Sequence, residues 1–442
     1  MTFSLGLGQA AGVRKLSSRR DFLLPGLFFL CPFISSTVPR LTPALLAALG
    51  LSLIVLAWRR GVAWRELLQP KDFLAACLLA ALYVFLNATW AAHPGDAFGK
   101  AAVLTAAILV TFASASALTK LDERELDASA LAFTAGALLG ASFVMFELLT
   151  DGAITRALMN LVPFLHPDSG KHASIKNGMV TGINMSLFNH NATLLMLQLW
   201  PGLLLLSLLA SARTLVMSVF FVALSVPLLL SQHESSQVAL VGSVLVWLLA
   251  RQWPALVVRG LAVLWCAGFI VVIPLAFLVY KEDVQRTAWL PSSFRARIII
   301  WEYTAERVFE HPWLGVGATS TRALHQPRAE AERPEGFVFP RATGQHAHNL
   351  FLQTWYELGL VGALLVAVAG AFAALRILAL PPQAQPFAAA TFAAFAAIAS
   401  FAWGMWQTWW ICAIGLAALY LCLGAVMVRE TPRRASAAGR SA

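Results

Sequence analysis

The run RGLAVLWCAGFIVVIPLAFLVY, residues 259–280, decides the fold class. Beyond Arg259 it holds no charged residue as far as Tyr280. About 20 apolar residues in a helix cross the hydrocarbon core of a bilayer. Lipid offers the backbone no hydrogen-bond partner, so a run of this kind must satisfy its own amides as a helix. Moving outward, eleven further runs repeat the pattern: about 22–38, 41–58, 72–91, 98–118, 127–148, 191–209, 212–231, 236–250, 357–379, 384–402 and 407–426. The predicted fold is an all-α polytopic membrane protein with about 12 transmembrane helices.

Composition agrees. The 442 residues are 59% hydrophobic and only 12% charged, where a soluble domain carries about 25% charged residues. The net charge of +10 does not point to nucleic acid. Many of the basic residues stand in short clusters between apolar runs, as orientation signals do in membrane proteins. Cys31, Cys77, Cys266, Cys412 and Cys422 all lie inside apolar runs without metal-ligand spacing and read as small hydrophobes. Phe22 to Val38 is apolar but lacks a small-residue cleavage site, so no cleavable signal peptide is expected.

With the N-terminus in the cytoplasm, the cytoplasmic segments collect Arg14, Lys15, Arg19, Arg20, Arg59, Arg60, Arg65, Lys71, Lys120 and Arg124, and later Arg429, Arg433, Arg434 and Arg440. The short loops opposite hold only Arg40 and Lys100. Twelve spans with both termini inside fit this bias. Residues 1–280 then form spans one to nine with a smaller outer loop at about 149–190, which holds Arg156, His166, Asp168, Lys171, His172, Lys176 and His190. A large outer loop at 281–356 carries nine Lys/Arg and eight Asp/Glu. Its Trp289, Trp301, Trp313, Phe337 and Phe339 argue for folded helices lying on the membrane. Residues 357–428 hold the last three spans, and the Ala/Ser/Arg-rich tail 429–442 is expected to be disordered.

Four polar groups stand out. Pro291 and Ser292 open a predicted helix on which Arg297 and Trp301 share a face, while Arg295 and Arg297 leave it about 200° apart. Arginine suits phosphate because its planar fork donates parallel charge-assisted hydrogen bonds; headgroup anchoring is the plainer reading. Ser231–Gln237 is an unbroken polar run between two apolar ones, either a polar pocket or a turn. Asn184, Asn189, His190 and Asn191 mark the re-entry of the smaller loop, where capping accounts for one Asn. His346 and His348 sit two residues apart, so a strand or turn would put them on one side. No third metal ligand accompanies them. A neutral histidine is a suitable base for an alcohol, and a satisfied helix-start histidine is the alternative.

These pieces follow one another in a familiar order. Arg297-x-x-x-Trp301, then His311-Pro312-Trp313-Leu314-Gly315-Val316-Gly317, then His348-Asn349-Leu350-Phe351-Leu352-Gln353, then Glu357-Leu358-Gly359-Leu360-Val361-Gly362 resembles the O-antigen ligase and polymerase superfamily. The likeness is specific over about 295–362, and Phe188-Asn189-His190-Asn191 also looks like the family's Asn-rich re-entry. One position departs: members usually show Ser-Arg where this chain has Ser236-Gln237.

The resemblance implies a type-C glycosyltransferase-like fold in the bacterial inner membrane, with the active site facing the periplasm and no cofactor or metal. It implies transfer of polysaccharide from undecaprenyl diphosphate to a hydroxyl of lipid A-core. His348 would be the base and Arg295 and Arg297 the diphosphate ligands, with His346, Asn349, Gln237, Asn191 and Trp301 as further substrate contacts. The superfamily's polymerases and protein O-oligosaccharyltransferases differ in acceptor. A bicarbonate-like solute transporter is the reading from another class. It would place ionisable residues in mid-span, and the charged residues here cluster at the outer surface instead.

Overall fold

A computed structural model of the chain describes residues 22–162, 173–209, 213–324 and 343–438. The expectations resting on Arg14, Lys15, Arg19, Arg20, His166, Asp168, Lys171, His172, Phe337, Phe339 and Arg440 lie outside the described residues, as do the side chains of Arg433 and Arg434. The chain runs α1 (Leu23–Thr37), α2 (Thr42–Arg59), α3 (Trp64–Leu67), α4 (Lys71–Asn87), α5 (Pro94–Leu118), α6 (Glu123–Leu149) and α7 (Ala153–Leu161). A hairpin of β1 (Ala173–Lys176) and β2 (Met179–Ile183) follows, then α8 (Asn189–Leu209), α9 (Arg213–Leu230), α10 (Glu234–Gln252) and α11 (Pro254–Lys281). The last elements are α12 (Ser292–Val308), α13 (Ser320–Leu324), α14 (Leu350–Arg376), α15 (Gln385–Phe401) and α16 (Thr408–Ala438).

Each of the twelve predicted runs is a helix. Among the described residues, nine are long and apolar enough to cross a membrane. The other three are α1 and α15, which are shorter, and α10, which carries Glu234 and Arg251 in its end turns. The chain is a multi-pass membrane protein. Leu79, Leu82, Leu131, Val263 and Ile270 face outward from the bundle, as lipid-facing side chains do.

Helix α8 is the axis of the bundle, with every residue from Asn191 to Leu206 buried. Helix α1 closes on α6 at Gly136 and Gly140, where a side chain would collide with Phe29, Pro32 and Ser36; small residues four apart let membrane helices approach this closely. Beside them Gln198 of α8 donates to the Pro32 carbonyl at 3.1 Å and to Ser35 and Ser36 at 3.2 and 3.0 Å. A buried amide in a lipid-embedded bundle needs such partners, because no water reaches it.

The two ends of the bundle differ. At one, Arg60 pairs with Glu125 at 2.5 Å, Lys120 with Glu66 at 3.3 Å, and Arg376 with Asp72. The other end carries both long connections. In the smaller one, buried Glu147 accepts from Ile154 N and Thr155 N at 2.9 and 3.1 Å and so caps α7. Asn160 of α7 brackets Val180, donating to its carbonyl at 3.1 Å and accepting from its amide at 2.7 Å.

Besides its helices the chain forms one short hairpin: Asn177 and Gly178 both take positive φ, 50° and 74°, which closes a tight two-residue turn and pairs β1 with β2. Helix α16 runs from Thr408 through Ala438.

Candidate active site

The large loop is anchored by a lock between two glycine-containing segments. Helix α14 is broken at Gly359, where φ is 65° and ψ is −165°. The break frees backbone groups that a helix would consume. Leu360 N donates to Pro312 O at 2.9 Å and Val361 N to Trp313 O at 3.2 Å. From the other strand of the lock, Val316 N donates to Tyr356 O and Gly317 N to Glu357 O, both at 3.0 Å. A Cβ on Gly359 would run into the Trp313 backbone, and one on Gly315 into the Glu357 backbone. Asn87 of α4 staples the lock: its amide donates to Leu314 O and Glu357 O at 2.8 and 3.2 Å, and its carbonyl oxygen accepts from Ala318 N at 2.5 Å.

Glu357 is the buried centre of this lock. Its carboxylate accepts from Thr319 N at 3.1 Å, Thr321 N at 3.0 Å, Thr321 Oγ1 at 2.5 Å, Gln353 Nε2 at 3.3 Å and Trp406 Nε1. Five donors satisfy one buried carboxylate. That occupies Glu357 with structure and fixes α13, the loop and the start of α16 relative to α14.

Above the lock the chain approaching α14 presents His346 and His348. Their rings lie 3.9 Å apart at 37°, so the pair does share one side. His348 takes φ of 52°, which turns both imidazoles inward. Trp301 of α12 donates to Ala347 O at 2.9 Å and holds the loop between them. His348 Nδ1 lies 2.7 Å from Ala402 O. A carbonyl only accepts, so Nδ1 carries the proton and Nε2 keeps its lone pair. Gly404 makes room for the neighbouring ring, since a Cβ there would press on His346 at 3.0 Å.

Arg297 is the cation of the site. Burial lowers its pKa and the Glu234 carboxylate raises it again; a guanidinium stays charged at ordinary pH. Burial, then His346 and Arg297, push the His348 imidazole down to about 3, against the hydrogen bond to Ala402. Burial and Arg297 take His346 down to about 4. His233 falls to about 3 through burial, Arg297 and His190. All of these rings are neutral at pH 7.

The other side of the site is a ring system that the polar run and the Asn-rich re-entry announced only as polar residues. Trp403 stacks on His190 at 4.2 Å and on His233 at 5.3 Å. Its indole donates to Thr193 at 2.9 Å, and His233 Nδ1 lies 2.6 Å from Ser236 Oγ. Trp409 packs edge-on to His190 at 4.7 Å. Trp403, Trp406, Trp409 and Thr193 escaped the sequence reading because each lies in or beside an apolar run.

Three expected substrate contacts use their amides on the backbone. Asn191 donates to Ser36 O and Thr37 O at 2.7 and 3.2 Å, tying α8 to the end of α1. Gln237 donates to Leu229 O and Ser231 O at 3.1 and 2.9 Å and closes the α9–α10 turn. Asn349 caps α14, accepting from Leu352 N at 3.0 Å. Arg295, half-buried on α12, leaves the helix about 200° from Arg297. Among the described residues no three His, Cys, Asp or Glu side chains converge as a metal-binding group.

A comparison with curated proteins finds no match. A comparison with family models matches residues 219–367 to the O-antigen ligase family. That stretch runs from α9 into α14, about a third of the chain. It contains His233, Arg295, Arg297, Trp301, His346, His348 and the whole glycine lock, whereas His190, Trp403 and Trp409 complete the site from outside it. Over residues 219–367 the chain is similar to the O-antigen ligase family, which supports a place in the O-antigen ligase superfamily.

Proposed function

We propose that the chain is a glycosyltransferase that moves O-antigen polysaccharide from undecaprenyl diphosphate to a hydroxyl of lipid A-core, at the periplasmic face of the bacterial inner membrane. The observation that carries the reading is the neutral His348 with its Nδ1 proton committed to Ala402 O, beside the buried cation Arg297. Nε2 is then the free base.

In this reaction His348 Nε2 takes the proton of the acceptor hydroxyl. The oxygen attacks the anomeric carbon from the side opposite the diphosphate. The bond from that carbon to the phosphate oxygen breaks, and the electron pair leaves on undecaprenyl diphosphate. One displacement inverts the anomeric centre. Arg297 neutralises the leaving charge, with Arg295 as a second anchor, so electrostatic stabilisation replaces a general acid. The donor's own charge also matters for the base. A bound diphosphate offsets Arg297 and lifts the His348 pKa from its low value toward the working pH, where a general base is most effective.

An apolar cleft of about 820 Å³ between α11 and α14, lined by Ile270, Leu364, Val368 and Phe372 among others, offers lipid-side room for the polyprenyl chain. Trp301 acts on the loop backbone and His346 on the neighbouring ring, so both position His348. Asn191, Gln237 and Asn349 serve the frame of the site.

Lipopolysaccharide gels of a ligase-deleted Gram-negative host with matched O-antigen and core test the assignment. The wild-type chain is expected to restore the ladder and His348→Ala, at equal expression, to leave none. A ladder with His348→Ala would remove the base. No ladder with either, in a host that accumulates lipid-linked polymer, would remove the ligase. A polymerase-deleted host then tests the superfamily's polymerase, which shares the donor and differs in acceptor.

A further inference from the structure

A second cavity lies beside His346 and does not include Arg297 in its lining. It holds about 930 Å³ and sits between the first turns of α5, α13 and the loop entering α14. That volume falls in the range of small-ligand sites. Its lining is polar, in contrast to the apolar cleft of α11 and α14. Lys100 and Arg322 both face it, against one rim carboxylate outside the lock, Asp96.

Three further features point to an anion. The N-terminus of α5, a 25-residue helix, opens at the cavity without a side-chain cap from His93, so its first amides and the positive end of its dipole are available. Gly95 and Gly99 keep that face bare, with no atom within 4 Å of where a Cβ would stand. His346 lines the cavity, and among the described residues its buried Nε2 has no hydrogen-bond partner. Lys100 is held in place by Thr408, to which it donates at 2.8 Å.

We propose that this cavity is the acceptor subsite and takes a saccharide head group bearing phosphate or carboxylate, with Lys100 and Arg322 on its anions. The inference rests on the transferase reading and adds a separate place for the second substrate. His346 lines the cavity, and its ring lies 3.9 Å from the His348 ring. An acceptor anchored at Lys100 and Arg322 is therefore held next to the base. The three cations have separate duties: Arg297 serves the donor, Lys100 and Arg322 the acceptor.

Binding can be read without turnover, on the full chain in detergent, with fluorescent lipid A-core and with undecaprenyl diphosphate as probes. Arg322→Ala is exposed and removes no buried contact; Lys100→Gln keeps a donor for Thr408. The double variant is expected to bind lipid A-core about tenfold more weakly or worse and undecaprenyl diphosphate unchanged, with an unaltered melting temperature. Phosphatase-treated lipid A-core separates the two anions: weak binding to wild type assigns phosphate, retained binding assigns carboxylate. Acceptor binding that survives the double variant, donor binding that falls instead, or no acceptor binding by wild type would each overturn the subsite. Failure of the transferase reading looks different: the wild type would bind both probes and transfer nothing.

Discussion

At the scale of single residues, side chains of one chemical type divide between chemistry and framework, and the division gives separable predictions. Arg297 holds its charge against burial with the Glu234 carboxylate as its supporting anion. Arg297→Lys keeps the charge but loses the two-pronged fork, so affinity for undecaprenyl diphosphate should fall about tenfold in a direct binding measurement. Trp301→Phe keeps an aromatic ring and removes the hydrogen bond to Ala347 O. The expected result is a kcat lowered about tenfold, since a loosened base acts only on the chemical step, with KM near wild type. Asn191→Leu removes two bonds to the end of α1. It should cost about 1–3 kcal/mol of stability and leave the specific activity of folded protein unchanged, read by melting temperature and transfer side by side. Sequence alone treats Asn191, Asn349 and Gln237 like Arg297, as polar residues near a boundary. For Asn191 the deciding neighbours, Ser36 and Thr37, lie more than a hundred residues away, whereas Gln237 and Asn349 close a local turn and a helix start.

At the scale of elements, the glycine lock between 312–317 and 356–361 is what aims the loop. It divides α14 into a short buried helix, 350–358, that starts directly after His348 and Asn349, and a longer helix beyond Gly359. Gly359→Ala places a Cβ against the Trp313 backbone at a positive φ, and should cost about 2–4 kcal/mol. Gly242, on an open face of α10 with nothing within 4 Å, is the control. Gly242→Ala should be neutral or slightly stabilising. Thermal unfolding in detergent compares the two. The spacing of Gly315, Gly317 and Gly359 was legible in the sequence as a motif, but their function as a mutual backbone contact was not. The sequence reading likewise begins this span at 357 and leaves 350–356 in the outer loop, because hydropathy carries no trace of a break that serves another segment.

Over the whole molecule, the site end must keep three histidines neutral. His233, His346 and His348 titrate at about 3, 4 and 3 when folded, against about 6.5 unfolded. The unfolded chain therefore binds more protons through this window, and stability is fully present above about pH 6.5 and falls as pH drops toward 4. Burial is the main cause of the shift, with Arg297 as the charged neighbour of all three rings, His190 facing His233 and His346 facing His348. Melting temperature in detergent should decline from pH 7 to pH 5, and a His233→Asn, His346→Asn double variant should flatten the decline. The same end exposes Trp289, Phe309 and Trp313, amphipathic anchors of the kind that settle at a membrane–water interface.

The sequence by itself determined the membrane class, the helical runs, the loop that carries the site and the candidacy of His348 and Arg297. Those are local properties: hydropathy is summed along the chain, and the motif residues lie within one stretch. Which rings stack, which amides serve the frame, that Trp403 from the turn before α16 packs on both His190 and His233, and that His346 lines a polar cavity came from the tertiary structure. These follow from how helices pack, and packing joins residues whose sequence separation carries no signal.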